Sequence, residues 1–329
     1  MLKQVICSVN RGGLEESQHN IHSVVINQDR QIIFQSGDVN ASHCLRSTLK
    51  PFQSAASISF DTHAKYNFTS KEIAVTCASH HCEDQHLATI RSILKKANIP
   101  ESALGCGFHF PFDKANKAKL YSNQIEKSNI YNNCSGKHAG LLSMIKTLNL
   151  SIDNYIDHNH PIHQHINQYI LDIAETSADC FAVDGCSLPT PYFSLLTLAK
   201  MYMKLIVAPK GSPLEIVSSA IMKHPELISG TQGFDTNFMK TLHGRAVCKG
   251  GAEGMQALSF KTKNQGYITL VLKVLDGNHR GNYISCITIL NYLNLITNKE
   301  HQTLLQHIDA QQYNLNKIKT GELICKILD

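Results

Sequence analysis

Residues 255–275 read MQALSFKTKNQGYITLVLKVL and carry the clearest structural pattern in the chain. Two apolar segments, 255–261 and 267–275, flank the polar turn TKNQG. Strand-forming runs joined by a short glycine-containing connection predict an antiparallel hairpin. A second hairpin is predicted near the other end of the chain, where IHSVVIN (21–27) and RQIIFQSG (30–37) flank a short polar turn.

The residues between the two hairpins predict helices. In EDQHLATIRSILKKANI (83–99), apolar residues recur at helical spacing at Leu87, Ile90 and Leu94. Helical patterns also cover HPIHQHINQYILDIAETS (160–177), PYFSLLTLAKMYMKLI (191–206), PLEIVSSAIMKHP (213–225) and, as a last long helix, GNYISCITILNYLNLI (281–296).

These patterns predict an α+β fold. Antiparallel hairpins need at least one covered face, and helices are the elements available to cover it. We expect one antiparallel sheet built from both chain ends, with a helical lobe inserted between them. The sheet lobe would comprise about 1–44 and 241–329 and the helical lobe about 45–240, in a single domain of 1–329.

Composition excludes several classes of protein. Hydrophobic residues make up 43% and charged residues 17% of the 329 residues, which suits a large core and not disorder. The net charge of +5 is not concentrated in runs, so we expect no nucleic-acid partner. No apolar run is long enough to span a bilayer, and the N-terminus lacks a signal-peptide pattern. We therefore expect a cytoplasmic protein with no membrane partner.

The chain contains eleven cysteines and no C-x-x-C motif. An odd number of scattered cysteines in a chain of this length argues against a disulfide framework. We expect most of them to be small buried hydrophobic residues.

The first candidate site is Ser47-Thr48-Leu49-Lys50, followed by Pro51. On a helix, residues three apart share a face, so the serine hydroxyl and lysine amine can meet. A proline favours the first helical turn, which places the helix start near Ser47. Serine needs a base to become nucleophilic, and a neutral lysine is one. The alternative is a solvated Ser-Lys pair that arose by chance.

Two further segments carry reactive residues. Lys249 precedes Gly250 and Gly251 at the start of the hairpin of 255–275, where glycines let a substrate approach the backbone. Thr76–Asp84 (TCASHHCED) places Ser79 and several bases at a helix entrance. The alternatives are a glycine turn with an exposed lysine and an ordinary N-cap with polar surface.

Metal binding is an open question at this stage. The segments NNCSGKHAG (132–140) and DGCSLPT (184–190) are rich in small and reactive residues, without standard zinc spacing. The tract HNHPIHQH (158–165) contains four histidines. Its aliphatic residues keep a helical stripe, so we interpret these histidines mainly as a solvated face.

Taken in order, these segments resemble a known family. They are RSTLKPFQ (46–53), CASH (77–80), CGFHFP (106–111), NCSGKHAG (133–140), DGC (184–186), HPELISGTQGFDTNFM (224–239) and KGGAEG (249–254). The set is similar to the Rhizobium etli-type, or class 3, L-asparaginases, from about residue 5 to about residue 290. This family has the serine β-lactamase-like fold.

The resemblance implies a role for individual residues. Ser47 and Lys50 match the family's first Ser-Lys pair, and Ser79 and Lys249 match its second. Cys134, Lys137 and Cys186 match its zinc ligands, so Zn²⁺ is the expected cofactor. The candidates for binding substrate are Arg46, His138 and Arg280. A homodimer is also implied.

Three positions depart from the family pattern. Cys82 and Ser187 stand where the family commonly has glycine, and Gly233 stands where it has arginine. None of these positions is a predicted nucleophile, base or zinc ligand. The missing arginine puts the strength of substrate binding in question.

The expected activity is hydrolysis of L-asparagine to L-aspartate and ammonia by a Ser-Lys mechanism, through a β-aspartyl-enzyme. One rival is a glutaminase or another amidohydrolase of the same fold. The absence of an S-D-N-type motif argues against a β-lactamase or D,D-peptidase. A second rival is a non-catalytic module that binds zinc or senses an amino acid, which would not need two Ser-Lys pairs.

Overall fold

The computed structural model describes residues 3–329. Its strands are β1 (Gln4–Arg11), β2 (Leu14–Asn27), β3 (Ile32–Ser36), β4 (Ser42–Cys44), β5 (Phe181–Val183), β6 (Pro189–Ser194), β7 (Ala246–Gly251), β8 (Met255–Lys261), β9 (Tyr267–Val274), β10 (Gln311–Tyr313) and β11 (Lys319–Leu328).

The α-helices are α1 (Lys50–Ser59), α2 (Thr62–Lys65), α3 (Ser70–Thr76), α4 (Asp84–Lys96), α5 (Lys114–Tyr121), α6 (Ser135–Thr147), α7 (Pro161–Ala174), α8 (Leu195–Ile206), α9 (Pro213–Lys223), α10 (Glu226–Ser229), α11 (Phe234–Thr241), α12 (Asn282–Tyr292) and α13 (Asn298–Leu305). Short 3-10 helices cover Arg46–Leu49, Glu101–Ala103, Asn129–Tyr131 and His279–Gly281.

The chain forms two compact units, and the first contains residues up to 48, 193–206 and 237–329. Its sheet has the strand order β10-β11-β1-β2-β9-β8-β7, with β3 also paired to β2. The two chain ends meet where β1 pairs with β11, from Gln4 opposite Leu328 to Arg11 opposite Gly321. The predicted α+β class, with an antiparallel sheet built from both ends, is confirmed.

Both predicted hairpins lie in this sheet. β8 pairs antiparallel with β9, and β2 with β3. Helix α8 packs on β2, β8 and β9, while α12 packs on β1, β9 and β11. The strands next to the helices are buried, as β8 shows: all its residues except Lys261 are buried.

The second unit, 49–192 and 207–236, is mainly helical. Helix α1 packs against α6, α7 and α9, and α3 packs against α4, α6 and α9. Every residue of α6 from Ser135 to Ile145 is buried. A helix that is buried on all sides lies at the centre of its unit, because no face remains for solvent. The centre of this unit therefore carries the NCSGKHAG segment.

Two helix predictions need correction. The segment PYFS at 191–194 belongs to strand β6, and the helix begins only at Leu195. The proline of the segment pairs in a sheet with β5 and does not start the helix. The helix of 281–296 ends at Tyr292 and is not the last, since α13 and the β10-β11 hairpin follow it.

Among residues 3–329, no helix combines the length and the apolar character needed to cross a bilayer. Eight of the eleven cysteines are buried, as the sequence predicted, and all eleven are free thiols in this structure.

Two of the departures from the family pattern occupy left-handed backbone positions. Cys82 has a φ of 65° and Ser187 a φ of 73°. Glycine adopts this region without a steric penalty, whereas a side chain with a Cβ is strained there. The glycines that the resemblance leads us to expect at these two positions would suit this backbone, which the chain instead builds with a cysteine and a serine.

We expect Ser187→Gly to raise the free energy of unfolding by up to about 1 kcal/mol, because glycine relieves the left-handed strain. The midpoint of urea unfolding measures the change. The matched control is Ser187→Ala, which removes the same hydroxyl but keeps the Cβ and should not stabilise. Equal stabilisation by alanine and glycine would show that strain is not the cause.

Candidate active site

Ser47 lies in the 3-10 helix Arg46–Leu49, which leads directly into α1. The turn is held by Leu45, whose carbonyl oxygen accepts hydrogen bonds from Thr48 N (3.3 Å) and Thr48 Oγ1 (2.6 Å). The hydroxyl of Tyr202 donates to Thr48 O at 2.7 Å. The predicted helix start near Ser47 is confirmed, with Pro51 in the first turn of α1.

Lys249 lies in β7 and is only 1% exposed. Its Nζ donates to Gly250 O at 2.6 Å. A Cβ at Gly251 would lie 3.2 Å from Thr48 Cγ2 and 3.3 Å from Leu45 O. The glycine therefore lets the end of β7 lie against the turn that carries Ser47, which places these two predicted elements side by side in the first unit.

Lys50 and Ser79 meet in the second unit. Lys50 is 1% exposed, and its Nζ donates to Ala78 O at 2.5 Å and to Ser79 Oγ at 3.0 Å. Ser79 itself is half-buried. The lysine of the first predicted Ser-Lys pair, Lys50, is thus in direct contact with the serine of the second pair, Ser79.

Backbone hydrogen bonds hold the loop that presents Ser79. Ser79 N donates to Ile228 O at 2.9 Å, and His80 N donates to Asn133 O at 3.2 Å. The loop is therefore tied on one side to the α10 segment and on the other to the residues just before α6.

His80 fixes the same loop through its side chain, which is fully buried. Its Nδ1 accepts the backbone N–H of Cys82 at 3.2 Å, so the proton of a neutral ring lies on Nε2. Nε2 then donates to Ser135 Oγ at 2.9 Å, and Ser135 donates to Ile130 O at 2.8 Å. Burial and the neighbouring His86 hold the pKa of His80 well below its usual range.

Two glycines bring α6 close to α3. A Cβ at Gly136 would lie 2.3 Å from Val75 O, and one at Gly140 would lie 2.7 Å from Thr76 Cγ2. Residues four apart lie on one helix face, so both glycines line the same contact. The N-terminus of α6 consequently lies beside the end of α3, from which the loop to Ser79 departs.

The three predicted zinc ligands converge near this N-terminus. Lys137 Nζ lies 2.9 Å from Cys186 Sγ, and all three side chains are buried. A hydrogen bond from Cys134, aided by the Lys137 ammonium, lowers the pKa of Cys186 to about 5 against the effect of burial. The same hydrogen bond, together with burial, raises the pKa of Cys134 to about 12.

The charge state of this cluster follows from these shifts. Although burial opposes it, the charge of Cys186 raises the pKa of Lys137. These shifts favour a Cys186 thiolate that pairs with the Lys137 ammonium and accepts a hydrogen bond from the Cys134 thiol.

Two sulfurs and one nitrogen are a donor set of the kind that zinc takes. Their convergence fits a metal, but binding would have to displace the protons of Lys137 and Cys134. In the part of the chain that the structure describes, no group of three or more His, Cys, Asp or Glu side chains could hold a metal ion. Zinc binding by Cys134, Lys137 and Cys186 therefore stays a prediction from the family resemblance.

His138 lies next to this cluster and is fully buried. Its Nδ1 is 2.6 Å from the hydroxyl of Tyr155, which also accepts the backbone N–H of Gly105. Burial and the adjacent Lys137 ammonium lower the pKa of His138 to about 3, so the ring is neutral. Its Nε2 is buried with no hydrogen-bond partner within residues 3–329, which leaves one polar atom for a bound molecule.

The two predicted arginines differ in position. Arg46 directly precedes Ser47 and has a left-handed φ of 50°. Arg280 donates from Nε to His19 Nε2 at 3.1 Å and from Nη2 to Ser17 Oγ at 3.2 Å. Those partners lie on β2, three strands from the β7 of Lys249, or about 14 Å across the sheet. The structure does not bring Arg280 to Lys249.

The histidines of residues 158–165 were interpreted mainly as a solvated face, and the structure corrects this for one of them. His163 is only 3% exposed, and its Nε2 is 2.8 Å from Tyr155 O, so it belongs to the packed interior. His158 and His165 are exposed, as expected. The apolar stripe of α7 did not predict the burial of His163, because that burial depends on a hydrogen bond with the backbone carbonyl of Tyr155.

The third departure from the family pattern is also structural. A Cβ at Gly233 would lie 2.2 Å from Ser229 Oγ and 2.3 Å from Ser229 O. No side chain fits there unless the segment from 229 to 233 shifts. The loop of this chain therefore leaves no room for the arginine that the resemblance leads us to expect at this position.

Sequence reasoning missed the link between His80 and Ser135. Both residues lie in segments that were singled out, CASH and NCSGKHAG, but nothing in the spacing of residues 55 positions apart indicates a contact. The only signal was that both segments enter helices and carry small polar residues.

Comparisons with known proteins identify the family. A model of the L-asparaginase II family matches residues 7–325. No curated protein matches the chain.

Similar solved structures include two β-lactamases. The one from Francisella tularensis is 12% identical, covering 84% of this chain and 94% of its own, with a TM-score of 0.41. The one from Mycobacterium bovis is 12% identical, covering 87% and 94%, with a TM-score of 0.45. A Bacillus glutaminase is 10% identical, covering 84% and 91%, with a TM-score of 0.36. These low scores do not discriminate between activities.

The family match, in contrast, extends over almost the whole chain and includes every residue of the candidate site. This chain belongs to the L-asparaginase II family.

Proposed function

We propose that this protein hydrolyses L-asparagine to L-aspartate and ammonia, with Ser47 as the nucleophile and Lys50 as the general base. The observation that carries the proposal is the environment of Lys50. Its buried Nζ contacts Ala78 O and Ser79 Oγ and pairs with no carboxylate among residues 3–329. A lysine accepts a proton only in its neutral form, and the proposal assigns that form to Lys50 in the first step.

The contacts of Lys50 suggest how its amine is oriented. A neutral lysine amine has two N–H bonds and one lone pair. When the N–H bonds point to Ala78 O and Ser79 Oγ, the lone pair is left to accept the proton of Ser47. Ser47 is three residues away along the same continuous helical segment.

In the first step, Ser47 Oγ attacks the side-chain amide carbon of asparagine and its proton passes to Lys50 Nζ. The electron pair of the C=O bond moves to the oxygen. Backbone N–H groups, including that of Ser47 at its helix start, would stabilise this oxyanion. The product of the step is a tetrahedral intermediate.

In the second step, the C–N bond breaks. A proton moves from Lys50 by way of the Ser79 hydroxyl to the leaving nitrogen, which departs as ammonia. A β-aspartyl ester of Ser47 remains. Water then attacks the ester, Lys50 takes its proton, and Ser47 regains a proton as aspartate leaves. The family resemblance implies that Lys249 and Ser79 form a second Ser-Lys pair, and Lys249 is included in the proposal on that ground.

The proposal assigns substrate binding to Arg46 and His138. Arg46 is the candidate for the α-carboxylate, because it is adjacent to the nucleophile in the chain. His138 is a second candidate, with its buried and unpartnered Nε2. Arg280 is not part of the proposed site, since His19 and Ser17 hold its guanidinium.

Zinc is part of the proposal as a cofactor that positions the substrate. Cys134, Lys137 and Cys186 would hold it, and when bound it would supply a positive charge that orients the substrate. The assignment to the Rhizobium etli type, the homodimer and the cytoplasmic location remain predictions.

The first test of this function is ammonia release from L-asparagine and, in parallel, from L-glutamine. We expect activity on asparagine, and we expect Ser47→Ala to abolish it while the protein stays folded. Lys50→Met should be almost as damaging, since both remove one half of the nucleophile-base pair. The matched control is Ser59→Ala on exposed α1 surface, which should keep full activity.

Near-normal turnover by Ser47→Ala would refute the mechanism. A preference for glutamine would indicate a glutaminase. Both amides must be measured, because they differ by one methylene, which changes substrate discrimination by only about 1–3 kcal/mol. Binding of either amide without ammonia release would favour the alternative of a non-catalytic module that senses an amino acid.

The zinc assignment is tested by the metal content of Cys134→Ser. We expect this variant to lose zinc and to bind substrate more weakly, while its unfolding midpoint changes little. The control is Cys106→Ser, another buried thiol, which donates to Asn129 O and should keep its metal. Unchanged metal content in Cys134→Ser would show that the ligands are assigned wrongly.

The link between His80 and Ser135 is tested with kinetics. His80→Asn can still accept the Cys82 N–H but cannot reach Ser135, so we expect kcat to fall about tenfold or more, with little change in KM. Ser135→Ala should have the same effect, and the double variant should be no worse than either single one. Ser143→Ala, which removes another buried α6 hydroxyl, is the control.

A loss of stability without any loss of kcat would show that His80 is structural only. Additive losses in the double variant would show that the two residues act separately.

A further inference from the structure

An open groove lies in the first unit, away from the residues assigned to catalysis. Its volume is about 930 Å³. It is lined by side chains from α11, from both ends of the β7-β8 hairpin, from the β8-β9 turn and from α13. Arg245, at its edge, is four residues before Lys249 along β7, or about 13 Å at strand spacing.

Cations dominate the lining of this groove. They come from five separate places in the chain: Lys240, Arg245, Lys261, Lys263 and Lys299. The only carboxylate in the lining is Glu300. Five positive charges less one negative charge leave a formal +4 with histidine neutral, whereas the whole chain carries +5. Most of the net charge of the protein is therefore concentrated here.

The single carboxylate does not neutralise the lysines. Glu300 lies 2.5 Å from Arg245 Nη2 and also accepts hydrogen bonds from the backbone N–H and the hydroxyl of Thr297, both at 2.8 Å. Its oxygens are thus committed to Arg245 and to the N-cap of α13. Lys240, Lys263 and Lys299 form no ion pair with any carboxylate in residues 3–329, and all three are exposed.

Exposed lysines on one helix face are usually only solvated. These residues differ because segments from 240 to 299 converge on one concave space. Like charges that converge in this way repel one another, and an anion of several charges removes the repulsion. A concave wall also focuses the field on the space where that anion would lie.

We infer that this groove binds a small anion with several negative charges, of the di- or triphosphate class. Lysine ammonium groups bind phosphate as compact point charges. The volume of the groove exceeds what a single phosphate would fill, and the cations are spread along it. Apart from two histidines, the lining contains no aromatic side chain, which argues against single-stranded nucleic acid, whose bases stack on aromatic rings.

The inference is independent of the proposed asparaginase mechanism, because none of the groove residues is assigned to it. It is tested by isothermal titration of the full chain with tripolyphosphate and, separately, with inorganic phosphate, at about 50 mM salt so that screening stays moderate. We expect tripolyphosphate to bind at least about tenfold more tightly than phosphate.

The decisive variant is Lys263→Glu with Lys299→Glu, which we expect to weaken tripolyphosphate binding at least about tenfold. The matched control is Lys95→Glu with Lys117→Glu, which changes two exposed lysines of the other unit by the same total charge. The control should bind within about twofold of the parent, and both variants should keep the parent's ammonia release and melting temperature.

Three results would overturn the inference. They are no binding of tripolyphosphate at about 1 mM, equal weakening in the groove and control variants, and tighter binding of a short single-stranded oligonucleotide than of tripolyphosphate. The second result would mean that overall charge, and not this groove, attracts the anion.

Discussion

The close approach of α6 to α3 is the constraint on which the helical unit and its site depend. No Cβ fits at Gly136 because Val75 O would lie 2.3 Å away, and Gly140 meets Thr76 in the same way. These contacts place the first turn of α6 beside the end of α3. The loop that presents Ser79 leaves α3 there, and the N-cap and first turn of α6 carry Cys134, Ser135 and Lys137. One steric contact thus assembles side chains from two separate motifs.

Polar groups then complete what the packing begins. His80 and Ser135 join the Ser79 loop to α6 through a hydrogen bond whose direction is set by the Cys82 N–H. Lys50 reaches the same loop at Ala78 and Ser79. Since these groups are buried, each must have a partner, and a loose arrangement would leave a donor or acceptor unsatisfied at a cost of about 1–3 kcal/mol. The burial of the site also lowers the pKa values of His80 and His138.

The departures from the family pattern concern backbone conformation and leave the predicted catalytic residues unchanged. Cys82 and Ser187 occupy left-handed positions that glycine would occupy without strain, and each lies close to a residue of the candidate site. Cys82 donates from its thiol to Tyr131 O at 2.8 Å, which compensates part of the cost. Gly233, conversely, stands where no side chain fits. The three changes therefore alter loops around the site while Ser47, Lys50, Ser79 and Lys249 remain.

The sequence by itself determined the α+β class, the two hairpins, most helices and the segments that carry the candidate site, because alternation and helical periodicity are local properties of neighbouring residues. It did not determine that PYFS joins a sheet, that His163 is buried, or that His19 and Ser17 hold Arg280. Nor did it show the contacts of Lys50 with Ser79, of His80 with Ser135, and of Lys137 with Cys186. Those pairs are 29, 55 and 49 residues apart. Only the tertiary structure decided them, since which distant side chains meet depends on how closely the helices pack, and that is set by steric contacts which no local pattern contains.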